Sequence, residues 1–283
     1  MTSIKYSTIA RFFLLNFTNL FIFSSTGLAT LNSLPETHHK RFLTFGLFFD
    51  EKSGFLIRNR EQSLGSFGSS MALMEEDEWI GKPQLVLTGG VDVAFKTKDY
   101  INNLNTEAFD ARFGIAIDSE LSRNFLLSFG LLHYSGHVAD GTSHAELIPY
   151  NLGDDSIFVR AIYDEGEYMR AGGTLRIYIH TDPPLQFISA DQFIEFFPSK
   201  NKNSKNEISP FIAFGLEEGG PQKIDFTYHI QSGFYLGNHT LAKRESTFRI
   251  ALGYYNGADP RFKFAHILNA KDHFIYGGVI LNY

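Results

Sequence analysis

The feature that most constrains the fold of this chain is a strict alternation of apolar and polar residues, which recurs in long segments. In QLVLTGGVDVAFKT, residues 84–97, apolar side chains at odd positions alternate with Gln, Thr, Asp and Lys. The segments AFDARFGIAID and KIDFTYHIQSGFYL, residues 108–118 and 223–236, repeat the pattern. A period of two places successive side chains on opposite faces of an extended backbone. The alternation therefore predicts an all-β fold whose strands have one apolar and one polar face.

Strand length distinguishes the two architectures whose strands show this alternation, the soluble β-sandwich and the transmembrane β-barrel. Strands of soluble β-sandwiches are usually about five or six residues long, and their apolar faces pack on each other. The alternating segments of this chain are about ten to thirteen residues long, which matches strands that cross a bilayer at a tilt. The pattern favours a transmembrane antiparallel β-barrel, with its apolar face toward lipid and a wet, polar lumen, over a soluble sandwich.

The strands can be placed along the chain, and the last of them suggests an orientation. We predict about twelve, near residues 41–50, 64–76, 84–97, 108–118, 124–137, 155–164, 167–180, 185–197, 207–217, 223–236, 246–255 and 272–283. The even number agrees with single-chain bacterial barrels. The final strand ends at Tyr283, and an aromatic last residue resembles the signal by which the barrel-assembly machinery binds its substrates. Since periplasmic turns are short, the loop lengths predict N- and C-termini in the periplasm.

The N-terminal segment has the features of a secretory signal. Basic residues precede an apolar stretch at residues 12–23, and small residues at 27 and 29 match a signal-peptidase site. A membrane anchor is the alternative, but the stretch is shorter than the roughly 20 residues of a spanning helix. We predict a cleaved signal at 1–29 and a single barrel domain at 30–283, in the outer membrane of a Gram-negative cell.

Composition excludes several classes of function. The net charge of −6 gives nucleic acid no electrostatic reason to bind, and the absence of Cys removes disulfides, thiolate metal sites and cysteine nucleophiles. After the N-terminal segment no apolar run is long enough to cross a bilayer as a helix. Because the predicted barrel has an apolar outer face, membrane lipid is the partner that the sequence predicts.

The stretch NFLLSFGLLHYSGHVADG, residues 124–141, places polar residues on an apolar face. His133, Ser135 and His137 continue the alternation of Phe129 and Leu131. In the predicted barrel this strand rises toward the cell exterior, so the three polar side chains are expected on the lipid face, level with the outer leaflet.

A histidine and a serine at this spacing indicate the hydrolysis of esters. Residues two apart on a strand share a face with their Cα atoms about 6.6 Å apart, close enough for an imidazole to approach a hydroxyl. A histidine that accepts the serine proton creates a nucleophile, and a nearby carboxylate or amide would hold the imidazole in the required tautomer. Asp155, near the start of the next strand, is the first candidate for that carboxylate and Asp140 the second. The predicted catalytic residues are Ser135, His133, Asp155, Asp140 and His137.

The His133-x-Ser135 pair resembles the dyad of outer-membrane phospholipase A and of the outer-membrane lipid A deacylase. The resemblance implies a serine-type lipid esterase, a phospholipase or a deacylase, that acts on phospholipid or lipid A in the outer leaflet. The phospholipase also uses calcium. Available oxygen ligands are Asp140, Glu146, Asp154 and Asp155.

A wider resemblance covers most of the chain. HYSGHVAD, RAGGTLRIYIHTDPP, SPFIAFGLE and LGYYNGADPRFKF, in that order, resemble an uncharacterised family of bacterial outer-membrane proteins, the domain of unknown function numbered twelve hundred and seven. That family tends to carry a His-x-Ser-x-His-x-x-Asp run, matched here from His133 to Asp140. An acid usually follows the run, whereas this chain has Gly141. The family implies a barrel and its location but no reaction.

A non-enzymatic barrel, either a narrow pore or a structural or surface protein, is the alternative function. Polar aromatic and imidazole groups at the rim of a barrel also serve as interfacial residues that meet lipid headgroups. The charged side chains on the predicted lumen face form either an internal ion-pair network or a selectivity lining. They are Arg112, Arg160, Arg170, Arg176, Asp92, Asp110, Asp118 and Asp225.

Overall fold

The computed structural model describes eleven stretches of the chain, and within them every regular element is a β-strand. The described residues are 53–58, 62–75, 83–96, 105–139, 152–165, 168–182, 187–198, 208–219, 225–237, 247–258 and 271–282. The strands are β1 Ser53–Arg58, β2 Gln62–Glu75, β3 Gln84–Lys96, β4 Asn105–Ser122, β5 Phe125–Val138, β6 Leu152–Asp164, β7 Met169–Asp182, β8 Ile188–Phe196, β9 Ser209–Gly219, β10 Asp225–Leu236, β11 Thr247–Ala258 and β12 Lys271–Asn282. In this part of the chain no helix is long and apolar enough to cross a bilayer.

The twelve strands form a closed antiparallel barrel, which confirms the predicted fold class and strand number. Each strand pairs with its neighbours in sequence, and β1 pairs with β12 to close the sheet. The predicted first strand at 41–50, the signal segment and Tyr283 lie outside the described residues. The sequence did not predict β1, because Phe55, Leu56 and Ile57 are consecutive apolar residues: Leu56 is buried in the interior while Ile57 is exposed.

The outward face of the barrel is apolar. Phe113 and Ile117 of β4 and Phe129 of β5 are exposed, whereas their neighbours Asp118 and Ser128 are buried inside. On β10 the exposed apolar positions run from Phe226 to Leu236. Such a span measures about 33 Å along a strand, or about 25 Å along the barrel axis at a tilt of about 40°. The alternation predicted from the sequence is therefore present, and the exposed apolar belt has the height of a bilayer's hydrocarbon core.

Charged side chains pair inside the barrel. Arg112 Nη2 lies 3.2 Å from Asp92 Oδ2, and Arg176 Nη2 lies 2.7 Å from Asp191 Oδ2. Arg170 donates through Nε to Glu195 Oε2 at 2.7 Å, and both side chains are fully buried. These contacts are those of an internal ion-pair network, the first of the two interpretations that the sequence left open.

One sector of the interior is packed with aromatic rings, which the sequence did not predict. The inward residues of β9–β12 include large buried aromatics that stack or meet edge to face, such as Tyr255 and Phe274 at 4.9 Å between centroids. The guanidinium of Arg58 lies 3.6 Å from the centroid of the Phe274 ring. Gln231 donates to the Tyr276 hydroxyl at 2.8 Å. The expectation of a wholly wet lumen is wrong for this sector, since side chains fill the interior there.

Candidate active site

Three polar side chains form one row across the outward face of strands β5, β6 and β7. The residues His133, Asp155 and His180 are direct neighbours in the register of the sheet. His133 Nδ1 lies 2.8 Å from Asp155 Oδ1, and His180 Nδ1 lies 3.5 Å from Asp155 Oδ2. About half of each side chain is exposed: 53% for His133, 43% for Asp155 and 65% for His180. One carboxylate thus stands between two accessible imidazoles.

The contact between His133 and Asp155 fixes the tautomer of the imidazole. An ionised carboxylate can only accept hydrogen bonds, so the Nδ1–H of His133 donates to it. Neutral His133 then carries its lone pair on Nε2, where it can accept a proton from a hydroxyl. This arrangement is the histidine–carboxylate half of a catalytic triad.

Ser135 follows on the same face of β5, one row beyond His133. Its cross-strand partners are the small residues Ala111 and Gly153. A Cβ built on Gly153 would meet nothing within 4 Å among the described residues, so none of them covers this side of the serine. Within the described part of the chain Ser135 forms no hydrogen bond with His133. In unliganded enzymes such bonds are often long and tighten only when substrate binds.

The second histidine of the sequence motif, His137, lies farther along β5 and contacts a ring. His137 stacks on Phe109 of β4, with the ring centroids 4.7 Å apart and the planes inclined by 25°. The described residues give it no contact with His133 or Asp155. Asp140, the second candidate for the orienting carboxylate, lies outside the described residues. The structure therefore brings together His133 and Asp155 and places Ser135 beside them.

His180 is the site residue that sequence reasoning missed. Regular alternation along β7 assigns it to the lumen, with Arg176 and Tyr178. A β-bulge changes this: Asp155 pairs with His180 but Ser156 pairs with Tyr178, so Ile179 is an extra residue and His180 faces outward. The bulge depends on the register between two strands, and the pattern of β7 alone holds no signal for it.

The row lies near one end of the barrel. His180 is two residues from the end of β7, and Asp155 is three residues from the start of β6. The next outward row consists of Leu131, Ile157 and Ile177, and is apolar. In transmembrane barrels, outward charged groups cost less near the strand ends than at mid-height. The position near the strand ends is therefore one that a polar row can occupy.

The calcium ligands suggested by the sequence do not converge in the described part of the chain. Asp154 is buried inside the barrel, whereas Asp155 faces outward. Asp140 and Glu146 lie outside the described residues. Among the residues that the structure describes, no group of three or more His, Asp or Glu side chains could hold a metal ion.

Comparisons of the chain with family models, with curated proteins and with solved structures found no match. The resemblance to the family of unknown function therefore stays a prediction. Function is inferred below from the geometry of the site.

Proposed function

We propose that this protein is an integral β-barrel of a Gram-negative outer membrane, exported by the segment 1–29 and oriented with both termini in the periplasm. The exposed apolar belt supports this proposal. Side chains such as Phe113, Phe129 and Leu252 are about half exposed around the whole circumference. Monomeric soluble proteins rarely expose apolar patches of more than a few hundred Å². Lipid is the solvent in which such a surface is stable.

We further propose that the outward row is the active site of a serine-type acyl-ester hydrolase that acts on outer-leaflet lipid. The hydrogen bond from His133 Nδ1 to Asp155 Oδ1, made on the exposed face beside Ser135, is the observation that carries this proposal. The bond orients the imidazole and stabilises the imidazolium that forms when it takes a proton. Phospholipid and lipid A both supply acyl esters at this depth.

The reaction follows from the roles of the three side chains. Nε2 of His133 takes the proton of Ser135 while Oγ attacks the ester carbonyl carbon, which gives a tetrahedral intermediate. The C–O bond to the lipid alcohol then breaks, and the imidazolium returns its proton to that alcohol. Water, deprotonated by the same imidazole, hydrolyses the acyl-serine to a free fatty acid and regenerates the hydroxyl.

The surroundings of Ser135 suit a lipid substrate. The open surface at Gly153 leaves room for an ester beside the hydroxyl. The neighbouring outward positions Leu131 and Phe129 are about half exposed and apolar. An acyl chain lying along them would remain in contact with hydrocarbon while its ester reaches the polar row.

Acyl release from phospholipid and lipid A vesicles by the purified protein tests the chemistry. Ser135→Ala should reduce release to background, and Asp155→Asn should reduce kcat by roughly 10²–10⁴-fold, because the imidazole loses its orienting charge. Ser232→Ala, an exposed serine on the outward face of β10, is the matched control and should keep the wild-type rate. The assay is run both with calcium and with a chelator.

Equal release by the wild type and Ser135→Ala, or no release by either, would contradict the hydrolase. The non-enzymatic alternative then gains support from the absence of a Ser135–His133 hydrogen bond in the described part of the chain. Within that alternative, the packed interior of β9–β12 supports a structural barrel over a pore.

A further inference from the structure

We propose that His180 is a positioning residue of this site: it holds the second carboxylate oxygen of Asp155, so that the first is presented to His133. This inference rests on the proposed hydrolase and adds a fourth side chain to it. The contact that carries it is the 3.5 Å approach of His180 Nδ1 to Asp155 Oδ2. His180 touches neither Ser135 nor His133 among the contacts of the described residues, so it acts through the carboxylate.

The exposed position of Asp155 makes a second anchor useful. A carboxylate that is nearly half exposed can rotate about its Cβ–Cγ bond, and each rotation changes which oxygen faces His133. His133 and His180 approach different oxygens, Oδ1 and Oδ2, from opposite sides. The hydrogen bond on Oδ1 and the ion-pair contact on Oδ2 together restrict the plane of the carboxylate, as residues behind a catalytic or metal-binding side chain commonly do.

The backbone of β7 is arranged in a way that produces this contact. Without the bulge at Ile179, the ladder would place Ile179 opposite Asp155 and turn His180 toward the interior. The extra residue moves the imidazole to the lipid face, next to the carboxylate. A solvent-facing histidine of no function would gain nothing from an interruption of the ladder, and bulges are frequent next to active sites.

The titratable side chains on the outward face around Asp155 agree with a positioning role for His180. The titratable side chains in these rows are His133 and His137 on β5, Asp155 on β6, and His180 and Asp182 on β7, while β4 contributes Phe113 and Ala111. An ionised Asp155 facing a bilayer is costly unless donors surround it. His133 provides a hydrogen bond to this carboxylate, and His180 an ion-pair contact on its other side.

Kinetics of acyl release test the role of His180. His180→Ala should lower kcat about ten- to a hundredfold with little change in KM, because it disorders the carboxylate without touching the lipid. His180→Gln, which keeps an N–H donor, should restore most of the rate. In an Asp155→Asn background, His180→Ala should have no further effect, since the two residues act as one unit. His273→Ala, an exposed histidine near the same end of β12, should keep wild-type kinetics.

The outcomes separate this inference from the proposed function. If Ser135→Ala abolishes release while His180→Ala keeps the wild-type kcat, the hydrolase stands and the positioning role is wrong. The role is also wrong if His180→Ala lowers kcat equally in the wild-type and Asp155→Asn backgrounds. No release by the wild-type protein overturns both. Heat-modifiable migration on gels verifies that each variant has folded, and a folded His180→Gln keeps the test valid if His180→Ala does not fold.

Discussion

Ser135 lies on the outward face of β5, one row beyond His133 and Asp155. Its neighbours across the sheet are Ala111 and Gly153, whereas the rows on either side hold Phe113 with His133 and Phe109 with His137. The hydroxyl is therefore flanked by small side chains between two rows of rings. Access of a substrate to the Ser135 hydroxyl therefore depends on the side chain at position 153.

Gly153→Phe should fold but lose activity. A Cβ at 153 meets nothing within 4 Å among the described residues, so the barrel tolerates the side chain, but a phenyl ring there would cover Ser135. Acyl release from phospholipid vesicles should fall at least about tenfold, equivalent to about 1.4 kcal/mol of transition-state stabilisation. Ala161→Phe, lower on the same face of β6, is the control and should keep the rate. Unchanged release by Gly153→Phe would show that lipid does not approach across this position.

Closure of the barrel depends on its shortest strand, β1. Its six residues pair with β12 on one side and β2 on the other. The seam with β12 is tight at Gly278, where a Cβ would meet the carbonyl oxygen of Phe55 and the side chain of Leu56. The adjacent Gly277 has room, since the nearest atom to its built Cβ is the Ala251 carbonyl oxygen at 3.9 Å.

Replacement by alanine should change the free energy of unfolding differently at the two neighbouring glycines. Gly278→Ala should lower the free energy of unfolding by about 1–3 kcal/mol, because the methyl group forces β1 away from β12. Gly277→Ala should be neutral or raise it by up to about 1 kcal/mol, since alanine restricts the unfolded chain. Urea unfolding in lipid vesicles, followed by circular dichroism, measures both. Equal effects of the two substitutions would place the tight seam elsewhere.

At the scale of the whole molecule, the aromatic sector of the described interior is packed with large side chains. Arg170 and Arg249 are almost completely buried, and Arg249 donates to Gln231 at 2.8 Å. Phe197 and Phe211 lie within 6 Å of these two guanidinium groups. Large side chains that are paired and stacked in this way fill this sector of the interior.

The packed aromatic sector predicts a barrel that does not conduct ions. The purified protein in a planar lipid bilayer should give no steady ion conductance, in contrast to a porin inserted in the same membrane. Asp92→Ala, which removes the ion-pair partner of Arg112 outside the aromatic sector, should leave the bilayer non-conducting. Steady wild-type channels would contradict the packed lumen and favour the pore alternative.

Periodicity and strand length alone predicted a barrel of about twelve strands with an apolar exterior, because alternation reports directly on the two faces of a strand. They also predicted Asp155 as the partner of His133, since both lie on outward positions of adjacent strands. Only the tertiary structure showed that residues 53–58 form a strand and that His180 faces outward. β1 was not predicted because its apolar residues Phe55, Leu56 and Ile57 are consecutive, and His180 was assigned to the wrong face because a bulge changes its face. The bulge arises from the register between β6 and β7, which the sequence of β7 alone does not encode.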